Sequence, residues 1–153
     1  MIIYTAVQLK EQVIEIGKKL VDYGLVVATW GNISCRDLKK NQFIITPSGM
    51  PYHELKPGDL VTLNAEGGVV EGKRKPSTEA LLHLEIYQAR PDVAAVIHTH
   101  SSSACAFAVV QEPIPPVLEE AAQLIGGPVE VARYAMPGSR ELARNGVKAL
   151  ENR

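Results

Sequence analysis

Two histidines one residue apart, His98 and His100 in "VAAVIHTHSS", have a spacing that suits one ion. In an extended strand alternate side chains share a face, so both imidazoles point one way and Thr99 the other. Their Cα atoms then lie about 6.5 Å apart. Two rings can converge across that gap on a cation, at about 2.0–2.1 Å per Zn–N bond. Neutral imidazole nitrogen suits Zn2+ and related transition metals. The competing reading is a packed histidine followed by a solvent-facing one at a strand end.

A second cluster is "KPSTE", Lys75 to Glu79. A helix start presents free N–H groups and the positive end of a dipole, which favours phosphate. Ser77 and Thr78 add hydroxyls there, while an ordinary N-cap with a first-turn Glu79 explains the same residues. "TWGNIS" and "TPSGMPY" place Gly31 and Gly49 where a ligand can approach the backbone, with Asn32 and Ser48 as hydrogen-bond donors. Both also read as plain turns. "GKRK" reads as a solvated basic loop. His83, one helical turn after Glu79, either orients that carboxylate or is a satisfied core histidine. Glu119 and Glu120 complement a helix dipole, Tyr134 is expected to pack, and Trp30 is expected to anchor the core.

The elements that must position these groups follow from periodicity. Thr5 caps a helix with Leu9, Val13, Ile16 and Leu20 on one face, stopped near Gly24. "LVVATWGNIS" reads as a short strand entering a loop. A strand over 42–46 and a strand pair in "KPGDLVTLNAEGGVVEG" follow. "STEALLHLEIYQARPD" is a helix capped by Ser77 or Thr78, with Leu82, Ile86 and Ala89 in its apolar stripe and Pro91 ending it. The strand "VAAVIHTH", helices in "SSSACAFAVV" and "EEAAQLIGG", a strand "VEVARYAM", and a helix capped by Ser139 complete the chain. Interleaved helices and short strands give an α/β or α+β class layered about one sheet.

The whole chain bounds the function. Its 153 residues suit one domain, and 46% hydrophobic content supports an ordered fold. Sixteen basic and 17 acidic residues leave a net charge of −1, with no electrostatic argument for nucleic acid or a membrane surface. Cys35 and Cys105 form no metal or redox pair and read as reduced, packed thiols. No leader pattern and no apolar run of about 18 residues is visible. A soluble, cytoplasmic protein is expected.

Together, "ATWGNISCR", "ITPSGMPYHEL", "EGKRKPSTEALLHLEIYQARPDVAAVIHTHS", "PIPPVL" and "PGSRELA" resemble the class II aldolase/adducin family, in family order and over nearly the whole chain. The resemblance implies a layered α/β/α fold with a central mixed, largely antiparallel sheet, and one domain over residues 1–153. It implies a divalent metal, usually Zn2+, with His98 and His100 as two of three histidine ligands. Glu79 falls on the catalytic acid/base. Thr29, Asn32, Ser48, Gly49, Ser77 and Thr78 fall on residues that bind the substrate phosphate. The implied reaction is metal-dependent cleavage of a ketose 1-phosphate to dihydroxyacetone phosphate and an aldehyde, in a homotetramer. The third metal histidine belongs to an "N-H-G"-like segment after the last helix, so a C-terminal part is expected beyond Arg153. Glu119 and Glu120 stand near the position of the family's aldehyde-handling tyrosine. Family epimerases carry aspartate at the position of Glu79, which favours an aldolase. Dehydratases and decarboxylases of the family, and adducin-like structural modules, are the alternatives.

Overall fold

In a computed structural model describing residues 4–150, five strands form one sheet. They are β1 (Asn32–Asp37), β2 (Gln42–Ile45), β3 (Val61–Asn64), β4 (Val69–Glu71) and β5 (Ala95–His98), in the order β4-β3-β2-β1-β5. Every described pairing is antiparallel. Five helices surround it: α1 (Ala6–Asp22), α2 (Ala80–Ala89), α3 (Ser102–Val110), α4 (Glu119–Ile125) and α5 (Arg140–Leu150).

Alternation along β2 makes two cores. Ile44 points to one face, where Val13, Ile14 and Leu20 of α1 meet Ile33, Tyr52 and Leu60. Phe43 and Ile45 point to the other, where Leu84 and Tyr87 of α2 pack with Val61 and Leu63. Thr5 caps α1 as expected and forms a full capping box with Gln8. The buried face of that helix is Val13, Ile14, Gly17 and Leu20, whereas Ile16 is exposed. Helix α5 packs on the outer side of α2, where a Cβ on Gly146 would meet Leu82 at 2.8 Å. With one flank on the sheet and another on α5, α2 buries His83, Leu84, Ile86 and Tyr87, and leaves Ala89 exposed.

Four expectations change. The strand in "LVVATWGNIS" begins only at Asn32, because Ala28 and Gly31 both hold positive φ and keep the preceding residues irregular. "VEVARYAM" forms no strand: its alternation finds no sheet partner, and only an isolated bridge joins Val129 to Ile114. Helix α2 starts at Ala80 with Glu79 as N-cap, not with a Ser77 or Thr78 cap. Ser77 Oγ still accepts the Glu79 N–H at 3.2 Å, so the serine serves the turn before the helix. Cys35 is half-buried as a packed thiol should be, but Cys105 is exposed. No helix among the described residues is long and apolar enough to cross a membrane.

Candidate active site

Pairing of β1 with β5 sets Asn32 directly beside His98. Neighbours across an antiparallel pair share a face, so both lie on the α2 side of the sheet. Gly31 is required at this junction. Its φ is +82°, and a Cβ there would lie 2.6 Å from the carbonyl oxygen of His98. A second junction brings two loops together: Ser48 N–H donates to the Lys75 carbonyl at 3.0 Å, and Ser77 N–H to the Thr46 carbonyl at 3.1 Å. Ser48 and Gly49 thereby stand beside Ser77, Thr78 and the start of α2.

The result is one cavity of about 510 Å³. It is lined by Thr29, Asn32, Ser48, Gly49, Ser77, Thr78, Glu79, His98 and His100, so every residue that the resemblance assigns to the site meets there. No lysine or arginine lines it among the described residues. Neutral donors and the α2 N-terminus are the groups available to an anion.

Glu79 accepts a hydrogen bond from the Gly138 N–H at 3.2 Å on Oε1. Gly138 has φ +74°, and a Cβ would press on the Thr78 carbonyl at 3.1 Å. The loop before α5 thus clamps the carboxylate from the side opposite its own helix. Gly138 and the cavity-lining Pro137 went unnoticed as site residues. "PGS" before a capped helix reads as a turn, and a backbone N–H has no signature in sequence. Ser139 caps α5 as expected, accepting the Leu142 N–H at 3.1 Å.

His98 and His100 stack with ring centroids 4.9 Å apart. His98 Nδ1 is buried without any hydrogen-bond partner. Burial holds the His98 pKa down and nearby His100 lowers it further, while Glu79 pulls the other way. A neutral imidazole with an unpartnered buried nitrogen fits a transition-metal ion. The pair offers two of the three protein ligands that a catalytic zinc takes, and no group of three such donors exists among the described residues. Trp30 is not the expected core anchor. It is 63% exposed and meets the His100 ring edge-on at 5.4 Å, because the irregular loop before β1 carries it to the cavity rim. Tyr134, expected to pack, is exposed, in line with the missing strand around it.

His83 is fully buried beneath this cavity. Its Nδ1 lies 2.6 Å from Ser34 Oγ, and its Nε2 hydrogen-bonds Asn32 Oδ1. The Tyr87 hydroxyl joins at 2.7 Å from the same Ser34 oxygen. Burial drives the His83 pKa down to about 3, so the ring is neutral at ordinary pH. It is a satisfied core histidine whose ring bonds Ser34 and Asn32, and it meets Glu79 only through its backbone N–H, which donates to the Glu79 carbonyl.

Comparison with known proteins matches this architecture. The chain is 40% identical over 134 residues to the 5-deoxy-D-ribulose 1-phosphate aldolase of Bacillus thuringiensis serovar kurstaki, covering 88% of this chain and 62% of that protein. The chain therefore spans less than two thirds of that relative's length. A solved L-fuculose 1-phosphate aldolase superposes with a TM-score of 0.89 at 41% identity, covering 95% of this chain and 68% of the other. The L-fuculose-1-phosphate aldolase of Thermus thermophilus gives 0.80 at 29% identity, covering 94% and 71%. The family model for the class II aldolase and adducin N-terminal domain matches residues 11–153. Sheet order, the cavity at the β1–β5 junction and the family match agree, and the chain belongs to the class II aldolase and adducin N-terminal domain family.

Proposed function

We propose that this chain builds the substrate-binding and proton-transfer parts of a metal-dependent sugar-phosphate aldolase. Its substrate would be a ketose 1-phosphate of the L-fuculose 1-phosphate kind, and its products dihydroxyacetone phosphate and an aldehyde. One observation carries this reading: a single cavity gathers a clamped carboxylate, two stacked imidazoles and a ring of neutral hydrogen-bond donors. Thr29, Asn32, Ser48, Gly49, Ser77 and Thr78 would hold the phosphate, helped by the dipole of α2. A divalent ion such as Zn2+, held in part by His98 and His100, would supply Lewis-acid stabilisation of negative charge on the substrate oxygens.

Glu79 handles the proton. The Gly138 hydrogen bond to Oε1 restrains the carboxylate in the cavity lining, where it would meet bound substrate. In cleavage a carbon–carbon bond breaks and its electron pair stays on the phosphorylated three-carbon fragment. The hydroxyl next to that bond passes its proton to Glu79 as its oxygen becomes the aldehyde carbonyl, and Glu79 then delivers that proton to the carbon of the phosphorylated fragment. In synthesis Glu79 removes that proton first. No lysine among the described residues lines the cavity, and the reading invokes no Schiff base. The same family reading gives a homotetramer in the cytoplasm.

The test is release of dihydroxyacetone phosphate from L-fuculose 1-phosphate and from 5-deoxy-D-ribulose 1-phosphate, with Zn2+ supplied. Glu79→Gln is expected to lower turnover by about 10²–10⁴-fold while Zn2+ affinity stays the same. Turnover at the wild-type rate in that variant would sink the assignment.

A further inference from the structure

Beneath the cavity floor runs a chain of buried polar groups: Tyr87 Oη, Ser34 Oγ, the His83 ring and the Asn32 amide. Ser34 and His83 have no exposed surface, and Asn32 and Tyr87 are each 5% exposed. Groups so placed must satisfy one another, so the direction of every bond can be worked out. A neutral imidazole carries its proton on Nε2 or on Nδ1. In the first direction, Tyr87 donates to Ser34, Ser34 to His83 Nδ1, and His83 Nε2–H to Asn32 Oδ1. With the proton on Nδ1, which then donates to Ser34, either the Ser34 or the Tyr87 hydroxyl hydrogen is left buried without an acceptor among the described residues.

The first direction has a consequence at the surface. With Oδ1 bound from below, Asn32 turns its Nδ2 toward the cavity it lines, where it meets no acceptor among the described residues. A reversed amide would present a carbonyl oxygen to any anion there. Since no lysine or arginine among the described residues lines the cavity, one amide turned the wrong way removes a donor and adds a repelling oxygen. We infer that His83 is a positioning residue, held as its Nε2–H tautomer by Ser34 and Tyr87, that locks the Asn32 amide donor-outward for an oxyanion. This rests on the phosphate site proposed above and adds what keeps that site selective for anions.

Two measurements test it on the whole chain. The first is 1H–15N long-range correlation NMR of the histidine rings, with His83→Gln supplying the assignment, which is expected to show His83 protonated on Nε2. Protonation on Nδ1 in the wild-type spectrum overturns the inference. The second is titration of inorganic phosphate and of dihydroxyacetone phosphate by calorimetry into wild type, His83→Leu, His83→Gln and Ser34→Ala, with melting curves confirming the fold. Wild type is expected to bind both probes. His83→Leu is expected to bind them at least about tenfold more weakly, at a cost typical of a lost charge-assisted hydrogen bond. His83→Gln, which can still donate to Asn32, is expected to recover most of the affinity. Ser34→Ala, which frees the tautomer, is expected to fall between. A folded His83→Leu that binds phosphate within twofold of wild type overturns the positioning role alone. Wild type without phosphate affinity overturns the phosphate site and this inference together.

Discussion

At the residue scale, the buried faces of the histidines decide their roles. His98 keeps an unpartnered buried nitrogen, so His98→Ala is expected to lower Zn2+ affinity by more than about 100-fold, and His100→Ala similarly. Competition with a chromophoric chelator measures this, and unchanged affinity would remove both from the ligand set. His83 supplies a pH signature. Its pKa is about 3 in the folded protein, well below its ordinary 6.5, so the unfolded chain takes up a proton that the folded one refuses. Stability is therefore full above about pH 6.5 and falls by up to about 1.4 kcal/mol per pH unit down to about pH 3. Urea midpoints between about pH 7 and about pH 5 are expected to fall in wild type, with a shallower slope in His83→Gln. His98 and His100 could be singled out as candidates because residue type and spacing are local facts, and Glu79 through the resemblance. The bond from His83 to Asn32 could not, since it joins positions 51 apart through a helix and a strand that only the fold brings together.

At the element scale, turns rather than helices hold the site in register. Gly31→Ala would force a side chain into φ +82° and against the His98 carbonyl. A loss of about 1–3 kcal/mol is expected, together with weaker metal binding, because the clash falls on a ligand's own backbone. Thermal melts and zinc titration of one variant check both parts. Ser139→Ala removes the cap of α5 and is expected to cost about 0.5–2 kcal/mol, seen as a lower denaturant midpoint. Helices α1 and α5 were readable from period and caps, α2 from its period and the β3–β4 pair from its turn residues, although the expected Ser77 or Thr78 cap of α2 gave way to Glu79. The buried face of α2 was less so, because two neighbours cover it and blur a one-sided stripe. "VEVARYAM" shows the limit of alternation: a strand needs a partner edge, and its sequence cannot say whether one is there.

At the scale of the whole molecule, burial is uneven. The sheet, α1 and α2 share two full cores, whereas α3 and α4 bury no residue. Val109, Val110, Val117, Leu118 and Leu124 are all more than 60% exposed, apolar surface that the proposed homotetramer would cover. Sedimentation velocity is expected to show a species several times heavier than the 16.6 kDa chain, and a lone monomer at micromolar concentration would contradict this. Leu63→Ala, in the core shared by the sheet and α2, is expected to cost about 2–5 kcal/mol, measured by urea unfolding. The stitch between the 46–48 and 75–77 loops has a different kind of consequence. Its two bonds run from backbone N–H to backbone C=O, and Lys75 turns its own side chain to solvent. The joint is thus indifferent to what Lys75 carries. That makes this rim a place where evolution, or a randomised library, can vary charge beside the cavity mouth and retune substrate preference without dismantling the floor.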